Sequence, residues 1–228
     1  MKIRFAIALA AAALISLLSA SAAETDEPRT VPRFVEGTHY TKLKVPVETR
    51  DPTKIEVVEV FSYTCVHCYT LERMLGPWLA VLPDDVDFHR VPFAYGQLQP
   101  LAQAFYTAEV MDVLPRVHMK IFESFHEYNI DLRRPQYIRR LFVREAKVDE
   151  DEFMRTYESF GVMTRVRQAD AQTRMYKVEG TPSIVVNGRY LVEVTRAGSL
   201  AGMMLVVNQL IDAERAAMAA AQTPAEGS

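Results

Sequence analysis

The chain is poor in cysteine: it has two, Cys65 and Cys68, among 228 residues. A small secreted fold held together by disulfides would have many more. With 49% hydrophobic residues, the chain has enough apolar material for a sizeable core without a covalent staple. A bridge between two cysteines this close in sequence would also restrict the unfolded chain very little. We therefore expect the pair to serve chemistry rather than stability.

Other features are also missing from the sequence. No run of basic residues is present and the formal net charge is -3, which argues against nucleic acid as a partner. No second group of cysteines and histidines follows the pair, so a four-ligand structural zinc site is not expected. Haem attachment requires a histidine directly after the second cysteine, where this chain has Tyr69. We expect neither a metal nor another cofactor.

The longest apolar run lies at the N-terminus. A basic start precedes apolar residues 5–18, and small residues then lead to Ala22 and Ala23. This three-part pattern is typical of a secretory signal peptide, and the run is shorter than the ~20 residues that a membrane-spanning helix needs. We therefore expect residues 1–23 to be a signal peptide cleaved near Ala22 or Ala23, with the mature chain in the periplasm. An oxidising compartment of this kind allows a cysteine pair to form a disulfide.

Cys65 and Cys68 stand at the junction between a predicted strand and a predicted helix. Residues 55–63, IEVVEVFSY, are rich in β-branched and aromatic residues, as is typical of a buried strand. After the pair, apolar residues recur at helical spacing as far as Leu82, and residues 86–93 predict a second strand. Strand, helix and strand in this order indicate a βαβ unit with parallel strands.

This position gives the two cysteines different chemistry. In the first turn of a helix, residues three apart lie on one face and are close enough to form a disulfide. Cys65 would lie beside the unpaired N–H groups at the helix start, which stabilise a thiolate and lower its pKa. A protonated His67 would add a second positive partner, while Cys68 would be shielded deeper in the turn. We therefore assign Cys65 as the nucleophile and Cys68 as the resolving thiol.

The second half of the chain is first helical and then returns to strands. Apolar stripes at helical spacing run over residues 98–176 and predict a block of about five helices. Strand signals return in GTPSIVVNGRYLVEV, where Asn187 and Gly188 between two apolar runs predict a two-residue hairpin. A last predicted helix ends near Met218, and the small, polar residues 219–228 predict a disordered tail.

An exported chain with FSYTCVHCY after a strand, then a helical block, then GTPSIVVNGRY resembles the DsbA family of thiol:disulfide oxidoreductases. The resemblance covers about residues 37–218 and implies an α/β thioredoxin fold with an inserted all-helical domain. The expected parts are a first thioredoxin-fold segment with the cysteine pair, a helical insertion, and a second thioredoxin-fold segment with a cis-proline loop, at residues 35–96, 97–176 and 177–218.

The resemblance implies roles for residues in the cysteine motif and in the cis-proline loop. Cys65 matches the attacking cysteine of the family, Cys68 matches its partner, and His67 matches the histidine of the motif. Pro182 matches the cis-proline and follows Thr181. A proline beside the disulfide offers no N–H group, while Thr181 can present its backbone to an extended substrate.

Two supporting positions follow from the same resemblance. Val66 stands where the best-known members have proline, and the residues between the cysteines tune the reduction potential. Glu59, six residues before Cys65, matches a buried acid that could relay protons as the thiols change state. Alternation along the strand alone favours a solvent-facing Glu59, so its expected burial rests on the resemblance. The buried lysine of the family has no obvious match, and His89 and Arg90 are only nearby candidates.

The resemblance also implies a function and partners. The protein would donate its Cys65–Cys68 disulfide to cysteine pairs of newly exported proteins, through a mixed disulfide at Cys65. A membrane-bound, quinone-linked oxidase of the DsbB type would then restore the disulfide. The protein is expected to be a monomer.

Two alternatives remain open. A disulfide isomerase or reductase would use the same fold. Isomerases of this kind resemble dimers with an added N-terminal domain, and the about 30 mature residues before the first core strand are too few for one. A non-catalytic binding or chaperone module could also retain the two cysteines, and turnover of a dithiol peptide would distinguish it from an enzyme.

Overall fold

The computed structural model describes residues 34–222, so the expected signal peptide and the end of the expected tail lie outside it. Five strands form one mixed sheet: β1 Thr41–Lys42, β2 Ile55–Phe61, β3 Val86–Pro92, β4 Ser183–Val186 and β5 Tyr190–Glu193. Their order is β1-β5-β4-β2-β3. Strands β2 and β3 are parallel, and the other neighbours are antiparallel. The structure thus has the mixed sheet of a thioredoxin fold.

Helices connect and cover these strands. They are α1 Val66–Leu79, α2 Gln99–Val110, α3 Leu114–His126, α4 Pro135–Leu141, α5 Glu150–Tyr157, α6 Phe160–Met175, α7 Val194–Ala197 and α8 Leu200–Gln222. A 3-10 turn at Gly96–Leu98 precedes α2, and a π-helical turn at Phe142–Ala146 follows α4. Helix α1 connects the parallel strands β2 and β3, as the sequence predicts. Helices α2 to α6 form the insertion between β3 and β4.

Strand β2 is buried on both faces, and all seven of its residues are inaccessible to solvent. Ile55 and Val57 pack into an apolar cluster with residues of α1 and α8. Val58 and Val60 pack into a second cluster with residues of the helical insertion. A strand covered on both sides needs a nearly continuous run of apolar, β-branched residues, which is what this segment supplies.

The β4–β5 hairpin turns at the predicted pair, Asn187 and Gly188. Both residues have left-handed backbone angles, with φ of 50° and 59°, as the two central residues of a type I′ turn require. A Cβ atom on Gly188 would lie 1.9 Å from the carbonyl oxygen of Val47. The N–H group of Val47 donates to the Gly188 carbonyl at 2.8 Å. The hairpin lies where the sequence predicts it, and only glycine fits the second position of its turn. Val186 pairs with Tyr190, however, so the loop has three residues, 187–189, and the predicted two-residue loop is wrong.

The C-terminal helix is longer than the sequence analysis predicts. Helix α8 continues to Gln222, so the boundary expected after Met218 is wrong and residues 219–222 are helical. The physical reason is the run of alanines around Met218, because alanine has the highest intrinsic helix propensity. Between residues 34 and 222, no helix has both the length and the apolar character to cross a membrane.

Candidate active site

Cys65 occupies the N-cap position of helix α1. Strand β2 ends at Phe61, and the N–H group of Cys65 donates to the Ser62 carbonyl at 3.0 Å, which closes a turn between strand and helix. Cys65 has extended backbone angles, φ -92° and ψ 117°, and no side chain caps the helix. The unpaired N–H groups of the first turn are therefore left to its sulfur, as the sequence analysis expects.

The environment of Cys65 favours its thiolate. A hydrogen bond from the Cys68 thiol is the largest influence, and the backbone N–H groups of Cys68 and His67 add to it. Partial burial acts in the opposite direction, yet together these influences lower the pKa of Cys65 to about 5. In the thiol form, Cys65 Sγ lies 3.2 Å from the carbonyl oxygen of Thr181. Cys65 is therefore an acidic, accessible thiol.

Cys68 lies in the opposite environment, one turn into α1. Its side chain is fully buried, and its Sγ accepts a weak hydrogen bond from the Ser62 N–H group at 3.5 Å. Burial raises the pKa of Cys68, and the neighbouring Cys65 raises it further. Both cysteines are free thiols in the structure. The two sulfurs of the pair thus differ in both accessibility and acidity.

The loop before β4 brings Thr181 and Pro182 beside the pair, although they lie more than a hundred residues further along the chain. The Thr181–Pro182 peptide bond is cis, as the resemblance implies, and Pro182 is buried. The Thr181 carbonyl faces Cys65, and proline has no N–H group with which to compete for that sulfur. The loop therefore presents a backbone carbonyl to the reactive thiol.

The two residues between the cysteines are solvent-exposed. Val66 has 55% of its surface exposed, and His67 is also exposed. Among the influences that lower the pKa of Cys65, the contribution of His67 is that of its backbone N–H group. A charge effect of its imidazole on Cys65 stays a prediction.

Glu59 is buried, with none of its surface exposed. The solvent-facing position favoured by alternation is wrong, because helices cover both faces of β2. Glu59 stands opposite Arg90 in the register of β2 and β3, and Arg90 Nε lies 3.3 Å from Glu59 Oε2. Burial raises the pKa of Glu59 well above its ordinary value, and the charge of nearby Glu72 raises it further. Arg90 is thus the basic neighbour that the sequence analysis left unassigned.

A buried polar network extends from this pair into the helical insertion. Arg90 donates to both carboxylate oxygens of Glu72, at 2.6 and 2.8 Å. His118 Nε2, from α3, lies 2.8 Å from the same carboxylate, and the Tyr63 hydroxyl lies 2.8 Å from His118 Nδ1. Burial raises the pKa of Glu72, but hydrogen bonds from His118 and Arg90 outweigh burial and lower it. Its carboxylate accepts from His118 Nε2–H, so Nδ1 is left to accept from the Tyr63 hydroxyl.

Sequence reasoning missed three members of this network: Tyr63, Glu72 and His118. Each is buried, and its hydrogen-bond partners in the network come from distant parts of the chain. Two signals could have placed Glu72 beside Arg90. Glu72 lies four residues after Cys68 and so on the same face of α1, and the β2–β3 register sets the position of Arg90.

A shallow groove of about 330 Å³ begins at Thr64, the residue directly before Cys65. Its wall combines apolar and polar side chains, and Ile130 is 41% exposed. The groove is lined by Thr64, Leu98, Phe125, Asn129, Ile130, Asp131 and Arg133. The exposed apolar side chains in this groove, close to a reactive thiol, suit contact with extended or unfolded polypeptide.

Comparison with known proteins agrees with this geometry. The family model of the DSBA-like thioredoxin domain matches residues 56–205. The thiol:disulfide interchange protein DsbA of Pseudomonas syringae pv. tomato is 37% identical over 216 residues, which cover 94% of this chain and 96% of that protein. DsbA of Azotobacter vinelandii is 37% identical over 182 residues, covering 79% of this chain and 85% of that protein.

Solved structures agree as well. The crystal structure of Pseudomonas aeruginosa DsbA superposes with a TM-score of 0.77 at 36% identity, covering 81% of this chain and 96% of that one. The crystal structure of the oxidoreductase DsbA from Xylella fastidiosa has a TM-score of 0.75 at 33% identity, covering 80% and 98%. The chain belongs to the DsbA family, and it is a thiol:disulfide oxidoreductase with a thioredoxin fold and a helical insertion.

Proposed function

We propose that the protein oxidises cysteine pairs of newly exported proteins by donating its Cys65–Cys68 disulfide. The observation that supports this direction is the contrast between the two thiols in the reduced site. Cys65 is accessible, with a pKa lowered to about 5, whereas Cys68 is buried with a raised pKa. A stabilised thiolate favours the reduced form, and for this two-electron couple about 1.4 kcal/mol corresponds to about 30 mV of oxidising power.

The reaction follows from this contrast. A substrate thiolate attacks Cys65 Sγ of the oxidised pair, the Cys65–Cys68 bond breaks, and Cys68 leaves as a thiolate that takes up a proton. A second substrate thiolate then attacks the substrate sulfur of the mixed disulfide and releases the Cys65 thiolate. The substrate loses two electrons and the pair gains them. Because a thiol of lower pKa leaves faster, the acidity of Cys65 speeds the second step.

Thr181 and Pro182 would position the substrate during these steps. The carbonyl of Thr181 is aimed at Cys65, and a substrate in extended conformation can pair with the backbone of this loop as an added strand does. The groove that begins at Thr64 would hold the substrate side chains beyond the reacting cysteine. Pairing with the loop backbone does not depend on the substrate side chains, so it suits many different substrate sequences.

The protein would work in the periplasm and be reoxidised there. Residues 1–23 would direct the chain to the periplasm and be removed near Ala22 or Ala23. There, a membrane-bound, quinone-linked oxidase of the DsbB type would accept the two electrons and restore the disulfide. The protein would act as a monomer.

Glu59 would supply the proton that Cys68 takes up. Its pKa is raised well above its ordinary value by burial, so it can hold a proton where an exposed carboxyl would not. The charge of neighbouring Glu72 also raises the pKa of Glu59, whereas the charge of Arg90 lowers it. As the charge of the cysteine pair changes, Glu59 would pass its proton toward Cys68.

Alkylation of the reduced protein tests the assignment of the nucleophile. We expect iodoacetamide at about pH 6 to modify Cys65 and leave Cys68 intact, because Cys65 is mostly thiolate above its pKa of about 5. The labelling rate should rise as pH passes through about 5 and then level off. Peptide mapping locates the adduct, and a Cys65→Ser variant should stay unlabelled. An adduct mainly at Cys68 would overturn the assignment.

Comparison of the two redox states tests the direction of the reaction. The folded pKa of Cys65, about 5, lies below the unfolded value of about 8.5. Thiolate stabilisation of the reduced form is therefore complete above the unfolded pKa and is lost as pH falls through the folded pKa. At pH 7 we expect reduced protein to be more stable than oxidised protein by about 1–2 kcal/mol, after allowing for solvent screening of a half-exposed thiolate.

Urea unfolding of both forms at about pH 7 and about pH 4 measures this difference, which should shrink or vanish at the lower pH. The bridge itself adds little to stability because its loop is so short. A higher urea midpoint for the oxidised form at neutral pH would falsify the oxidase proposal and favour a reductase or a structural bridge.

Replacement of His67 distinguishes the effect of its imidazole on the reduction potential from the effect of its backbone N–H group. His67→Ala keeps the N–H group that stabilises the Cys65 thiolate and removes only an exposed side chain. We expect the reduction potential to fall by about 10–20 mV, since an exposed charge contributes about 0.5–1 kcal/mol. Equilibration with glutathione measures the potential, and Thr70→Ala in the same helix is the control. An unchanged potential would assign the whole effect to the backbone.

A Glu59→Gln variant tests the source of the proton. We expect the oxidised variant to react with a dithiol peptide about tenfold more slowly at neutral pH, because the amide cannot release a proton to Cys68. Alkylation of Cys65 in the reduced variant should keep its rate. Glu214→Gln is the matched control, since Glu214 is also buried but lies in α8. Equal peptide oxidation by Glu59→Gln and the unmodified protein would rule out the relay.

A further inference from the structure

A second group of ionisable side chains lies on the other face of strands β2 and β3. Glu56 and Asp87 stand opposite each other in the parallel register, and His89 follows two residues after Asp87. Because side chains alternate along a strand, these three face away from Glu59 and Arg90. The three side chains therefore do not belong to the polar network beside the cysteine pair, although His89 and Arg90 both line the cleft between β3 and the helical insertion.

We propose that Glu56, Asp87 and His89 bind a zinc ion. One ligand atom from each lies within 4.8 Å of one atom from each of the others. Three atoms no further apart than this lie within about 2.8 Å of a common centre, and zinc bonds to carboxylate oxygen and imidazole nitrogen are about 2.0–2.2 Å long. Side-chain movements of less than about 1 Å would therefore close the site.

Two buried atoms of the cluster point to a missing partner. Glu56 Oε2 and His89 Nδ1 are both inaccessible to water, and neither makes a hydrogen bond of normal geometry in the part of the chain that the structure describes, although the Tyr176 hydroxyl lies near the Glu56 carboxylate. The side chain of Glu56 is only 2% exposed. A buried carboxylate oxygen without a partner costs free energy, and a cation at the centre of the cluster would satisfy both atoms at once.

The donor set suits zinc. Imidazole with carboxylates is a common ligand set for this ion, and a site with three protein ligands leaves a fourth position for water or another ligand. A neutral imidazole and ionised carboxylates are the forms in which these side chains bind a metal.

The open position would face a cleft of about 650 Å³ between β3 and the helical insertion. His89 contributes to its wall, together with Arg50 and residues of α2 and α6 such as Tyr106, Glu109, Arg165 and Gln172. A water molecule or a small ligand can reach the cluster from this side, as metal exchange requires.

Arg50 supplies the positive charge near the two carboxylates in the structure. Its Nη2 lies 3.0 Å from Asp87 Oδ2, and its Nε lies 3.8 Å from Glu56 Oε1. The Arg50 side chain is 55% exposed, so its ion pair is weak and can open into solvent. A zinc ion would displace this guanidinium, and Arg50 therefore lowers the affinity of the site by charge repulsion.

The proposal departs from the expectation of a chain without metal. That expectation came from the pattern of cysteines and histidines. Glu56 lies about 30 residues before Asp87 and His89, and only the pairing of β2 with β3 brings them together.

Calorimetric titration of the oxidised protein with zinc chloride tests the site, because a disulfide leaves no thiol at Cys65 or Cys68 to bind the metal. We expect one equivalent to bind and to raise the thermal midpoint, since the metal binds the folded chain only. His89→Gln and Glu56→Gln should each weaken binding at least tenfold. The controls are His39→Gln and Glu158→Gln, which remove a histidine and an acid outside the cluster.

Arg50→Gln gives a result of the opposite sign and does not depend on a buried substitution. We expect it to tighten zinc binding at least threefold, because the repulsive charge is removed. The backbone N–H group of residue 50, which donates to Glu56 Oε1, is kept. No binding to the oxidised protein, equal affinity in His89→Gln, or weaker affinity in Arg50→Gln would each overturn the proposal. The thiol chemistry of Cys65 is measured separately and does not depend on the outcome.

Discussion

The burial of strand β2 on both faces is the constraint on which the active site depends. Apolar side chains on each face pack into separate clusters, so the strand cannot shift without disturbing both. Its carboxyl end is therefore fixed, and the short turn after Phe61 sets Cys65 at the start of α1. The same burial places Glu59 in the interior, where a lone ionised carboxyl would be costly. Arg90, opposite it in the register, reduces that cost.

The asymmetry of the cysteine pair arises from backbone geometry more than from neighbouring charged side chains. One thiol ends up at the helix N-terminus and the other one turn inside, so a spacing of three residues produces an acidic sulfur next to a buried one. The Thr181 carbonyl completes the surroundings of Cys65 from a distant part of the chain. This arrangement relies on few side chains, which is consistent with valine at position 66, where the best-known members of the family have proline.

Local patterns predicted much of this structure. The run IEVVEVF, the pair of cysteines and the Asn187–Gly188 turn each carry a short-range signal, and each lies in the predicted element. Interactions between distant segments could not be predicted in the same way. The burial of Glu59 follows from helices packed on both faces of β2, and its closeness to Arg90 follows from strand register. His118 enters the network from α3, which no periodicity in the sequence associates with β2.

The position of His118 limits how the helical insertion can be exchanged between proteins of this fold. Its ring lies between Tyr63 and Glu72, both in the thioredoxin-fold part, and it is buried at that junction. The insertion therefore cannot be replaced without regard to the residues that it contacts in the thioredoxin-fold part. A chimaera that took its helices from a protein with an apolar residue at this position would keep Glu72 paired with Arg90, but the Tyr63 hydroxyl and one carboxylate oxygen would lose a buried neighbour. A graft at this boundary needs the contacting surfaces of the insertion and of the thioredoxin-fold part to be designed together.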